Sequence, residues 1–134
     1  MIYIVEDDSE IESIGDACYN MARVINRRYR CGEDYTEEQY RRIDGMVKFC
    51  DQMLEQMLLI VENKPEASPK AVLTLEYEIN DYRKMLKEMN VNDLNAQRYS
   101  YQMGVHYMDL INDFEKLGDY VVNVVEAHNN KKFA

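Results

Sequence analysis

Residues Tyr35 to Val61 read YTEEQYRRIDGMVKFCDQMLEQMLLIV, and this stretch decides the fold class. Tyr40, Ile43, Val47, Cys50, Leu54, Met57 and Val61 recur in steps of three and four, the spacing that puts side chains on one helical face. The start is equally clear. Thr36 can cap the first turn, Gln39 can reach back to close a capping box, and Tyr35 and Tyr40 occupy the two staple positions. The helix is predicted to stop before Asn63-Lys64-Pro65, where proline disfavours helical backbone in the residue preceding it.

The same period extends outward in both directions. Downstream, Ser68-Pro69 sets a cap followed by proline at the first helical position. The stripe Val72, Leu75, Ile79, Tyr82, Leu86, Met89 then predicts a third helix that ends at the turn Asn90-Val91-Asn92-Asp93. A fourth helix is expected from about Leu94 to His128, with Tyr107, Ile111, Phe114, Leu117, Val121 and Val125 turned inward. Upstream, Ile11, Ile14, Cys18, Met21 and Ile25 predict a first helix over about Tyr3 to Tyr29. Its last turns carry Arg27, Arg28 and Arg30, where the helix dipole favours cations. Short connections make neighbouring helices antiparallel. The expected fold is therefore all-α: one domain over residues 1–134, an antiparallel four-helix bundle without strands.

Composition narrows the partners. The chain has 134 residues, 46 % of them apolar, and a formal net charge of −9. Such an acidic surface repels nucleic-acid backbones and anionic lipid headgroups. No apolar run approaches the roughly 20 residues of a membrane span, so direct membrane insertion of this segment is not expected. The three cysteines, Cys18, Cys31 and Cys50, are odd in number and form no CxxC pair, which suits a reducing compartment. Cys18 and Cys50 fall on apolar stripes and are expected in the core.

One segment occurs twice. DSEIESIGDACYN (Asp8–Asn20) aligns with INDFEKLGDYVVN (Ile111–Asn123) at a constant offset of 103. Glu12, Gly15, Asp16 and Asn20 recur as Glu115, Gly118, Asp119 and Asn123. Residues four apart stack on a helix with Cβ atoms about 5–6 Å apart. Each Glu-x-x-x-Asp pair therefore sets two carboxylates side by side, where they repel unless a cation lies between them. Both pairs project away from the apolar stripe of their helix, so they face outward or into a shallow groove. A glycine inside a helix costs about 1 kcal/mol against alanine, and close approach of a neighbouring helix would account for Gly15 and Gly118.

ESIGDACYN and EKLGDYVVN resemble the Glu-Arg-Ile-Gly-Asp-x-x-x-Asn signature of PhoU proteins, with Ser13 and Lys116 at the signature arginine. EYEINDYR (Glu76–Arg83) and GVHYMDLI (Gly104–Ile111) are similar to stretches of the PhoU-like domain at the C-terminus of bacterial sodium/phosphate cotransporters. PhoU proteins consist of two three-helix repeats, restrain phosphate uptake and signalling, commonly dimerise, and in several cases hold metal clusters at their Glu-x-x-x-Asp carboxylates. The resemblance implies a PhoU-like regulatory domain with partial three-helix repeats. Glu12, Asp16, Glu115 and Asp119 would be metal ligands in it. Oxygen-only donors favour Mg²⁺, Mn²⁺, Fe or Ca²⁺ over Zn²⁺. The implied setting is the cytoplasmic face of the inner membrane. The implied partners are a transporter membrane domain or a phosphate-signalling protein, and a second copy of the chain. Because only one helix precedes the second repeat, the resemblance also makes the chain a fragment of a longer transporter.

Two other function classes remain. A carboxylate-bridged di-iron enzyme needs inward-facing Glu-x-x-His on two helices. The two histidines, His106 and His128, make no such motif, and no nucleophile elbow, P-loop or triad is present; no catalytic residue is assigned. A purely structural dimerisation module is the remaining alternative, given eleven tyrosines and nine methionines as contact surface. His106 is expected to be partly buried.

Overall fold

The computed structural model describes the backbone of residues 2–132 and the side chains of residues 12–130. Four helices follow in order: α1 (Ile2–Cys31), α2 (Glu37–Val61), α3 (Pro69–Asn95) and α4 (Tyr101–Lys132). The described residues contain no strand.

The local signals act as expected in α2. Thr36 accepts from the Gln39 amide at 3.1 Å, and the Gln39 side chain accepts from the Thr36 amide at 2.9 Å. The Tyr35 and Tyr40 rings meet edge to face at 5.6 Å. Ser68 caps α3 through the Ala71 amide at 3.1 Å. Two boundaries differ from the sequence reading. α3 runs through Asn90–Asp93 to Asn95, and α4 begins at Tyr101 instead of Leu94. Gln97 adopts a positive φ of 56°, and the amides of Gln97 and Arg98 bond back to Leu94 and Asp93. This is a Schellman closure with glutamine where glycine is usual. The sequence offers no glycine there to reveal it.

α4 is the hub. α2 and α3 pack against each other and against α4, while α1 packs against α4 alone. The fold is thus a three-helix unit, α2–α4, with α1 laid antiparallel along the outside of α4. That arrangement decides which apolar stripes are buried. On α3, Val72, Leu75, Ile79 and Leu86 are buried; on α4, Tyr107, Ile111, Leu117, Val121 and Val125 are buried and Phe114 partly so. On α2 the buried row is Gln39, Arg42, Met46, Cys50, Met53 and Ile60. The predicted stripe lies at its edge, with Tyr40 and Val61 exposed, because α3 and α4 clasp α2 from two sides.

α1 is the larger correction. Its buried positions are Ala17, Met21 and Val24, while Cys18 and Ile25 are exposed. With α4 as its only neighbour, α1 buries one narrow face, and the wider apolar stripe has nothing to cover it. Cys50, by contrast, lies in the core as expected, and burial pushes its thiol up to about 12.

One end of the unit is held by polar groups inside the packing. Arg42 bonds Asp93 across α2 and α3 at 3.0 Å, both nearly enclosed, and also pairs with Glu38 at 3.0 Å. Arg98 also pairs with Asp93 at 3.5 Å, so each charge keeps a second partner, and removing one member costs less than the about 3–5 kcal/mol of an isolated buried pair. Tyr99 donates to Asn90, whose amide donates to the Gly104 carbonyl. In the sequence Arg42 reads as surface, as single polar residues on a helix do, and Asn90 and Asp93 read as turn residues.

Candidate functional site

The antiparallel crossing of α3 and α4 brings two polar rows together. Glu76, Asn80 and Arg83 stand at intervals of four and three, hence on one side of α3. Glu115, Asp119 and Glu126 form the facing row on α4. Gly118 lies between the α4 carboxylates, and a Cβ added there would touch the Met53 Sδ at 3.4 Å and the Ile79 Cδ1 at 3.5 Å. The glycine therefore lets α4 sit close to both partners, as its place in the signature suggested.

Charge is not balanced along this row. Arg83 forms an ion pair with Glu115, each with 24 % of its side chain exposed. One turn further on, Glu76 faces Asp119 with no cation between them. Burial raises the Glu76 pKa first, and the Asp119 carboxylate raises it further, both by its charge and by a hydrogen bond that favours the protonated form. Glu126 and Glu115 add to the same effect. The arrangement sets the half-buried Glu76 and Asp119 carboxylates against each other, one turn from a carboxylate held by arginine.

The four expected ligand residues thus fall in two different settings. Glu115 and Asp119 are half-buried at the α3–α4 seam and meet a third carboxylate, Glu76. Glu12 and Asp16 are exposed on α1. Cys31 touches Met103 at 3.8 Å and Arg27 pairs with Asp109 at 3.3 Å, so α1 runs antiparallel to α4. Carried down the two helices, this register sets Asp16 level with Asp119. The two motifs therefore stand at the same height, but α3 lies against another side of α4, and Glu76 faces only the second motif. Gly15, the counterpart of Gly118, has no atom within 4 Å of its would-be Cβ.

As the side chains stand, no group of three or more His, Cys, Asp and Glu is gathered to hold a metal among the described residues. The chemistry of the α3–α4 seam still suits one. The donors are all oxygen, and Glu76 and Asp119 pay a repulsion that a hard cation would relieve. Glu115 would join them on leaving Arg83. Glu76 belongs to the segment quoted for the family resemblance, yet it was not assigned a role. Its spacing to Asn80 and Arg83 was the available signal, but only the packing identifies which helix it faces.

His106 is more buried than expected, at 6 %, and neither ring nitrogen has a hydrogen-bond partner. It lies on α4 away from the carboxylate row. Asp113, two turns on from His106, is also buried, and burial raises its pKa. A small groove between α1 and α4 runs past Asp113, lined by Asn20, Arg23, Arg27, Asp109 and Lys116.

A family model described as PhoU domain matches residues 43–127, which covers most of α2, all of α3 and most of α4. No curated protein and no solved structure matches the chain. No helix among the described residues is long and apolar enough to cross a membrane.

Proposed function

Because the chain belongs to the PhoU domain family, a family of regulatory proteins associated with phosphate uptake, we propose that it is a cation-responsive regulatory module of phosphate transport. Its partner in this reading is the membrane domain of a sodium/phosphate cotransporter or a phosphate-signalling protein, met on the cytoplasmic face of the membrane. The cation site is Glu76, Glu115 and Asp119 at the α3–α4 seam. Glu12 and Asp16 repeat the spacing on α1 as a second, open pair without a counterpart of Glu76.

One observation supports the site: Glu76 sits partly desolvated in the seam, where Asp119, Glu126 and Glu115 all raise its pKa and no basic group lowers it. A hard divalent ion such as Mg²⁺, Mn²⁺, Fe²⁺ or Ca²⁺ would supply the missing positive charge. In the protein without it, Arg83 neutralises Glu115. Cation and Arg83 therefore compete for Glu115, and occupancy would decide whether α3 and α4 are tied through arginine or through the ion. That gives a two-state element by which a bound ion can be read by a partner.

The test is metal analysis of protein purified without chelator or affinity tag, beside Glu115→Gln/Asp119→Asn and Glu76→Gln. Stoichiometric metal in the first and its loss in both variants is the expected result. Arg83→Gln should bind the same ion more tightly, by about tenfold if the lost competition amounts to roughly 1.4 kcal/mol. Equal metal content in all four proteins would remove these residues as ligands. No metal in any of them would recast the seam as a partner-facing surface, the purely structural reading.

A further inference from the structure

The groove between α1 and α4 is a second polar site, separate from the α3–α4 seam. Its volume is about 300 Å³, at the lower end of the ~300–1,000 Å³ range of small-molecule sites. Asp113 lies at its base with 8 % of its surface exposed, while Asn20, Arg23 and Lys116 stand exposed at its rim. Among the described residues Asp113 has no hydrogen bond and no ion pair, a costly state for a buried carboxylate. Burial raises its pKa by more than Lys116 and Arg27 lower it, so neither cation neutralises it in place. Two rim residues are repeat positions that the cation site leaves unused. Asn20 is the asparagine of the first copy, and Lys116 stands at the signature arginine of the second.

The free charges of the groove define what fits it. Arg27 is held by Asp109 at 3.3 Å. Among the described residues that leaves Arg23, Lys116 and Asp113 without an ion pair, two positive groups and one negative. The complement is a molecule with two anionic groups and one cationic group. An inorganic phosphate ion would answer the two cations but set its oxygens against Asp113, and a bare cation would do the reverse. An acidic α-amino acid has two carboxylates and one ammonium. The ammonium, with three N–H donors, suits the buried Asp113 carboxylate. The α-carboxylate suits the planar fork of Arg23. The second carboxylate suits Lys116, one turn from Asp113 on the same helix. The Asn20 and Asn112 amides add donors for the carboxylates and acceptors for the ammonium.

We propose that the α1–α4 groove binds a free acidic α-amino acid, of the class of L-glutamate and L-aspartate, with its ammonium on Asp113 and its carboxylates on Arg23 and Lys116. The ligand bridges two helices, because Arg23 belongs to α1 and Asp113 and Lys116 belong to α4. α1 packs against α4 alone, so occupancy fastens the one helix that no other element holds. The rim pairs are open to solvent, which limits the dissociation constant to about 0.1–1 mM. Glu76, Glu115 and Asp119 take no part in the groove, so it stands or falls apart from the cation site.

The experiment is a heteronuclear NMR titration of the chain at neutral pH with L-glutamate and L-aspartate, each up to about 10 mM. Beside them run L-alanine, which lacks the second carboxylate, glutarate, which lacks the ammonium, and inorganic phosphate. Both acidic amino acids should give saturable shifts at amides of α1 and α4 around the groove. L-Alanine should bind about tenfold more weakly, and glutarate and phosphate should not saturate. Asp113→Asn, Arg23→Gln and Lys116→Gln should each raise the L-glutamate dissociation constant about tenfold. Lys116→Gln should also erase the preference over L-alanine, while Arg30→Gln, on α1 outside the groove, should change nothing. Arg23 and Lys116 are exposed, Asn matches Asp in shape, and circular dichroism checks that the variants fold. The absence of saturable shifts with both acidic amino acids overturns the proposal. So does phosphate or glutarate that binds as tightly as L-glutamate, or L-glutamate binding that is indifferent to Asp113→Asn or to both rim variants.

Discussion

α1 and α4 carry the same segment and meet opposite fates. Glu-x-x-Gly-Asp-x-x-x-Asn occurs in both. In α4 it is wedged against α2 and α3, its glycine is crowded and its carboxylates meet Glu76 and Arg83. In α1 the glycine is open and the carboxylates stand in solvent. The difference lies in neighbours, not in the motif. A carboxylate pair at helical spacing becomes a coupled site only when a second helix removes its water and adds a third charge. The same local sequence is therefore a site in one helix and a surface in the other.

Paired substitutions at equivalent positions test this contrast, each measured by urea unfolding at low protein concentration. The widest gap is expected between Val121→Asp and Cys18→Asp. Val121 is fully enclosed, and an unpaired carboxylate there should cost more than about 4 kcal/mol or prevent folding. Cys18 is exposed, and the same change should fall within about 0.5 kcal/mol. Equal losses would mean that the α1 face is covered in the isolated chain.

A smaller gap separates the glycines. Gly118→Leu drives a side chain into Met53 and Ile79 and should cost about 1–3 kcal/mol. Gly15→Leu meets open space and should gain somewhat under 1 kcal/mol from helix propensity. A loss at Gly15 would place a neighbour there.

The smallest effect concerns protons. Burial and Asp119 hold the Glu76 pKa above its unfolded value of about 4.3. Ionising Glu76 thus costs stability. Its favourable contribution is full below the unfolded pKa and is lost as pH rises through the folded one. In chelator, Glu76→Gln should be more stable than wild type at neutral pH by roughly 0.5 kcal/mol, the size of a like-charge pair on a helix surface. The advantage should vanish under acid conditions. With a bound cation the sign should reverse. A difference that does not change with pH would separate Glu76 from Asp119.

The fold was legible where the cause is local. The capping box at Thr36, the staple of Tyr35 and Tyr40, the Ser68-Pro69 start and the stripes of α3 and α4 each depend on residues within a few positions of one another. The second half of the candidate site was legible for the same reason, since Glu115 and Asp119 are one helical turn apart. The α3–α4 boundary was not, because Gln97 takes a glycine-like conformation that its side chain does not advertise. The stripe of α1 was misplaced because an apolar face shows what a helix could bury, and only its neighbours fix what it does bury.

The sequence by itself determined that four amphipathic helices form, how three of them begin or end, and that one acidic signature appears twice at a fixed offset. These properties follow from spacing along a single helix. Only the tertiary structure decided that α4 is the hub, that Glu76 and Arg83 join Glu115 and Asp119, and that Glu12, Asp16 and the face of α1 beside them remain open. Those outcomes depend on which helix lies against which. Side chains far apart in the chain acquire their charge balance and burial from that packing, and no spacing along one helix encodes it.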